Sequence, residues 1–75
     1  MVDLDMVKIG ARIKELRTEL SLTQSQLAKI IGSAQNTIAQ YERGQSKIGM
    51  EVLVNLAVAL KTTIDYLVGL TENPN

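Results

Sequence analysis

Apolar residues recur along this chain at helical spacing, and nowhere do they alternate with period two for long. Met6, Ile9, Ile13, Leu16 and Leu20 follow the i, i+3/i+4, i+7 rule that gathers side chains on one face of a helix. A first helix is predicted there, with Asp3 or Asp5 as its cap and Ser21 where the chain leaves it. A second opens at "TQSQLAKIIG": Thr23 as N-cap with Gln26 three residues later is the pattern of a capping box, and Gly32 is a C-terminal stop. A third lies in residues 31–44, "IGSAQNTIAQYERG", and is closed by Gly44. A fourth runs from about residue 50 to 60 with Leu53, Leu56, Ala57 and Leu60 on one stripe, and a short fifth starts after Thr63 and ends at Gly69. The fold class is therefore all-α, a compact five-helix bundle with short connections. Residues 1–70 form one domain, and residues 71–75, "TENPN", form a polar tail expected to fray.

Residues 52–70, "VLVNLAVALKTTIDYLVGL", are long and apolar enough to suggest a membrane span. Lys61 and Asp65 would then lie near or below the bilayer midplane, and Thr62–Thr63 look like a helix boundary. Two short helices account for the segment better, and no membrane association is expected.

The third helix raises a question. Its outward face would show Gln35, Asn36, Thr37 and Gln40, where solvent-facing helices usually carry Lys and Glu. The link before it, around Gly32–Ser33–Ala34, is too tight for an antiparallel hairpin and forces the second and third helices to cross steeply, as in a helix-turn-helix spanning about residues 23–43. That geometry needs a small residue at the crossing, a residue able to take positive φ at the corner and a branched apolar anchor for the third helix. Ala28, Gly32 and Ile38 meet these demands in turn.

Composition narrows the function classes. Seventy-five residues lie near the lower limit for a self-sufficient core. Neither Cys nor His is present, so disulfides, transition-metal sites and thiol or imidazole catalysis are not expected. Glu15 and Glu19 lie on an exposed helix face without a cleft, so no enzyme, cofactor or small-molecule ligand is expected. The acidic "MVDLDM" start lacks the features of a signal peptide, and the expected location is cytoplasmic. Net charge is zero, yet between Thr23 and Lys47 the cations Lys29, Arg43 and Lys47 face a single acid, Glu42.

The segments "RIKELRTELSLTQSQLAKIIG", "NTIAQYERG" and "LVNLAVALKTTIDYLVGL" together resemble the lambda/Cro-type (Xre-like) repressors over nearly the whole chain. That family places its third helix in the DNA major groove. The resemblance implies a transcriptional regulator of the repressor kind, with double-stranded DNA as partner. It makes Gln35, Asn36 and Gln40 candidates for base contacts, since Asn and Gln pair with adenine N6 and N7, with Thr37 and Ala39 beside them for a thymine methyl or a phosphate. It further implies phosphate contacts by Gln24, Arg43, Ser46 and Lys47, a buttressing role for Gln24, and an Arg17–Glu42 ion pair tying the first helix to the third. Two positions depart from the family pattern. Ala34 stands where a capping Ser or Thr is common, leaving the third helix to Ser33 or weakly capped. Lys61 stands where glycine commonly ends the fourth helix, implying a left-handed lysine or a shifted boundary.

A different class of function competes. Val52, Val54 and Val58 lie off the core stripe of the fourth helix, with Leu70 nearby, leaving apolar surface for a protein partner. On that reading the chain is an interaction module, such as the antitoxin half of a regulatory pair. On the DNA-binding reading the same surface makes a homodimer, at least on DNA.

Overall fold

The computed structural model describes residues 4–74. Five helices follow one another: α1 (Met6–Glu19), α2 (Gln24–Ile31), α3 (Gln35–Glu42), α4 (Met50–Ala59) and α5 (Ile64–Val68), with no strand among the described residues. Asp5 caps α1 by accepting from the Lys8 amide at 3.1 Å, whereas Asp3 lies outside the described residues. Both halves of the Thr23/Gln26 capping box form, at 3.0 and 2.8 Å. Thr63 caps α5 by accepting from the Tyr66 amide at 3.1 Å. The third helix is shorter than the segment that suggested it, because the chain turns at Gly32 and restarts after Ala34. Ala34 has no side-chain oxygen to offer and Ser33 does not replace it, so α3 begins without a side-chain cap.

All five helices end in the same way. The residue after the cap, or the cap itself, turns left-handed, and two backbone amides reach back to orphan carbonyls of the last turn. At α2 these are Gly32 N to Lys29 O at 3.3 Å and Ser33 N to Ala28 O at 2.7 Å. Gly32, Gly44 and Gly69 serve α2, α3 and α5. Ser21 (φ 58°) and Lys61 (φ 55°) do the same work after α1 and α4, so the lysine is left-handed and the boundary is not shifted.

The core lies where all five helices meet. Ile9 and Ile13 of α1, Leu27 of α2, Ile38 of α3, Leu56 of α4 and Leu67 of α5 are essentially inaccessible. Each sits on the stripe its periodicity marks, which is how an amphipathic helix is held in a small domain. Two expectations fail at the edges. Leu20 is exposed and acts as the cap of α1, while Val52 is half-buried against the core and contributes nothing to a surplus patch. No helix is long and apolar enough to cross a membrane among the described residues.

Gly10 sets how closely α1 and α3 approach. A Cβ there would stand 2.2 Å from the Tyr41 carbonyl oxygen, so the backbone of α1 lies directly on the last turn of α3. The described part of the tail, residues 71–74, lies against the helices. Arg12 of α1 donates to the carbonyls of Tyr66 and, at 3.1 Å, of Thr71, and it pairs with Glu72 at 3.4 Å. The guanidinium also stacks 4.3 Å over the Tyr66 ring, and Thr62 holds the Pro74 carbonyl at 2.7 Å.

Candidate nucleic-acid interface

α3 is pinned from beneath by Ile38 and Ala39, both buried, while Tyr41 packs against the core and the Glu42 side chain turns inward. Gln35, Asn36 and Gln40 are exposed, and Thr37 is half-buried at the margin. Asn36 makes no side-chain hydrogen bond among the described residues and is left open to solvent. The two glutamines are held.

Gln35 is the outer end of a chain of bonds that begins in the core. Arg17 of α1 grips Glu42 of α3 with two parallel bonds, Nε to Oε2 at 2.5 Å and Nη2 to Oε1 at 3.0 Å. Its Nη1 donates to the Leu22 carbonyl at 2.8 Å. The side chains are 10% and 3% exposed, so this is a bidentate pair shielded from water. The hydrogen bond to Glu42 holds the Arg17 guanidinium above its ordinary range despite the opposing effect of burial. Gln24, in the first turn of α2, then donates Nε2 to Glu42 Oε1 at 3.0 Å and accepts from Gln35 Nε2 at 2.6 Å. Three helices thus meet through one carboxylate, and the first residue of α3 is braced by it. One hydrogen of the Gln24 amide is committed to Glu42; the second remains for a further acceptor.

At the other end of α3, Ser46 donates to Gln40 Oε1 at 3.1 Å. Arg43 and Lys47 are exposed in the segment that leaves the helix, Lys29 is exposed on α2, and none of these three forms an ion pair among the described residues. Ala28 and Gly32 occupy the corner between α2 and α3, with Ala28 buried and Gly32 at φ 71°.

Sequence reasoning passed over Gly10, Arg12 and the brace of Ser46 on Gln40; the buttressing role implied for Gln24 is the one that reached Gln35. A glycine inside a helical pattern is a visible sign of close backbone approach, so Gly10 was detectable. Arg12 was not, since its partners lie 54 or more residues away and two of them are backbone carbonyls, which carry no sequence signature.

Residues 13–67 match the model of the helix-turn-helix family. The chain belongs to that family. Among curated members it is 38% identical over 64 residues to the uncharacterized transcriptional regulator YobD of Bacillus subtilis, an alignment covering 85% of this chain and 57% of that one. The chain spans about half the length of the curated helix-turn-helix relatives it matches first. Among solved structures, the restriction-modification controller protein C.AhdI of Aeromonas hydrophila superposes with a TM-score of 0.80 at 36% identity, covering 84% of this chain and 96% of that one. The c2 repressor of Salmonella phage P22, solved in complex with a synthetic operator, gives 0.78 at 33% identity over 89% and 96% of the two chains. The five-helix architecture is thus that of helix-turn-helix repressors.

Proposed function

We propose that this protein is a sequence-specific double-stranded DNA-binding transcriptional regulator acting as a repressor, with α3 inserted in the major groove. The observation that carries the reading is the outer face of α3. It offers amides and a hydroxyl in place of charges, and Gln35 is braced through Gln24 to a buried ion pair. Amides donate and accept at once and discriminate among base edges, whereas surface charges would attract any stretch of backbone equally. A solvated helix face needs no brace. Gln35, Asn36, Gln40 and Thr37 are assigned to base edges, and Gln24, Arg43 and Lys47 to the sugar-phosphate backbone. Similarity to a repressor solved on its operator supports the same docking. The protein acts in the cytoplasm, without catalysis, and as a homodimer on DNA. Val58 is 75% and Leu70 68% exposed, and Val58 shares a shallow groove with Ile30 and Asn55. An operator for such a dimer is an imperfect palindrome with half-site centres about 34 Å apart.

The deciding experiment compares Gln40→Ala with Lys47→Ala on a selected operator and on unrelated DNA. Loss of a base-reading amide costs about 1–3 kcal/mol on the operator and little elsewhere. Loss of Lys47 weakens all sequences alike and makes the slope of log affinity against log salt shallower by about one unit. Equal losses on operator and unrelated DNA for Gln40→Ala defeat the assignment of α3 as a reading head.

A further inference from the structure

The bond between Ser46 and Gln40 ties the segment after α3 to the exposed face of α3. A serine hydroxyl carries a single proton. Donated to Gln40 Oε1 at 3.1 Å, that proton is not available to a phosphate oxygen, the role that family resemblance assigns to Ser46. With the hydroxyl as donor, the bond fixes which end of the Gln40 amide faces Ser46. Oε1 is turned toward Ser46, and the trigonal amide carbon turns Nε2 away from it. Both Nε2 hydrogens are unclaimed among the described residues. Gln35 is set in the opposite sense: its Nε2 is the end committed to the protein, at 2.6 Å from Gln24 Oε1, and its Oε1 is left open. The two glutamines therefore present opposite polarities from one helix face.

We infer that Ser46 is a positioning residue for sequence readout, holding Gln40 as a hydrogen-bond donor so that its operator position takes an acceptor edge. Guanine, with O6 and N7, and thymine, with O4, present only acceptors to hydrogen bonding in the major groove, whereas adenine sets its N6 donor beside the N7 acceptor. A freely flipping glutamine also takes adenine, by pairing with N6 and N7 together. The inference rests on α3 entering the major groove, and adds to that reading a rule for one base position.

Selection of duplexes from a random-sequence pool tests it, using the full 75-residue chain and its variants Gln40→Ala, Ser46→Ala and Ser46→Thr. The wild-type consensus is expected to hold guanine or thymine at one symmetric position, identified as the position whose preference Gln40→Ala erases. Ser46→Ala frees the amide and raises adenine there, relative to the wild-type base, by about fivefold or more, the smallest discrimination a good base contact supplies. Ser46→Thr keeps the hydroxyl and keeps the preference. An unchanged consensus for Ser46→Ala, a wild-type preference for adenine, or loss of the preference in Ser46→Thr overturns the inference while leaving major-groove reading intact. So does a uniform weakening of all sequences by Ser46→Ala with the salt dependence unchanged, the mark of a lost phosphate contact by a neutral hydroxyl, which releases no counterion. A wild-type protein that selects no consensus defeats the DNA-reading assignment itself, and this inference with it.

Discussion

Replacing Glu42 with alanine tests how much of the molecule hangs on one carboxylate. An exposed ion pair contributes about 0–1 kcal/mol, because water screens it and competes for its hydrogen bonds. Glu42 is different: its side chain is 3% exposed and accepts three bonds, two from Arg17 and one from Gln24. Alanine leaves the Arg17 guanidinium, itself only 10% exposed, with the Leu22 carbonyl as its remaining partner. Stranding a buried charge in this way costs about 3–5 kcal/mol. A chain of 75 residues has a total stability of about 4–11 kcal/mol, so the substitution removes a large fraction of it. Urea unfolding followed by circular dichroism, with a slope of about 1 kcal/mol per molar for so small a domain, should show the midpoint lowered by about 3–5 M. The double replacement of Arg17 by Met and Glu42 by Leu should recover most of the loss, since it removes both charges and keeps the volume. A Glu42→Ala midpoint within about 0.5 M of wild type would refute the reasoning, at less than ~1 kcal/mol on the same slope.

Three further outcomes follow from other contacts. Gly10→Ala places a methyl 2.2 Å from the Tyr41 carbonyl oxygen, so α1 must shift off α3 at a cost of about 1–3 kcal/mol, read as a lower melting temperature. Val58→Glu should leave the monomer's melting temperature within error of wild type while weakening cooperative binding to a two-half-site operator; a single half-site bound as tightly as the full operator would exclude the dimer. The Tyr66 hydroxyl donates to Glu15 at 2.9 Å, and that bond raises its pKa above the usual phenol range. Because the protonated form is the one favoured by folding, its contribution is fully present below about pH 10, the ordinary phenol value, and is lost as pH climbs through the raised one. Tyr66→Phe should therefore cost about 0.5–1.5 kcal/mol at neutral pH and show a smaller difference from wild type in strongly alkaline urea titrations.

Periodicity and punctuation made the helices legible. Thr23, Gln26, Gly32 and Thr63 each state a local rule that the backbone obeys without help from distant residues. The tight link around Gly32 made the helix-turn-helix legible too, and with it the outward row on α3. What the sequence did not disclose was long-range. The grip of Arg12 on the Tyr66 and Thr71 carbonyls spans most of the chain and brings the start of the tail against α1. The exposure of Leu20 and the packing of Val52 depend on where each helix meets its neighbours, which a stripe marks only to within a residue or two. The orientation of the Gln40 amide depends on a single partner, Ser46, that no pattern singles out as a brace, whereas the family pattern did mark Gln24 as a buttress.

Two of the five helix ends place a side-chain-bearing residue where glycine is at ease. Leu20–Ser21 and Leu60–Lys61 repeat one another closely, with cap φ of −87° and −91° and following φ of 58° and 55°. The left-handed conformation costs a residue with a Cβ about 1–2 kcal/mol. Both corners therefore hold a reserve that substitution by glycine, in evolution or in the laboratory, can release. The corners join different helix pairs, so the gains from Ser21→Gly and Lys61→Gly should add. For a domain this small, that reserve is comparable to what one poorly tolerated change elsewhere consumes. A lineage that relaxed these two corners first would tolerate a wider range of substitutions on α3, and its readout could drift without the fold being lost.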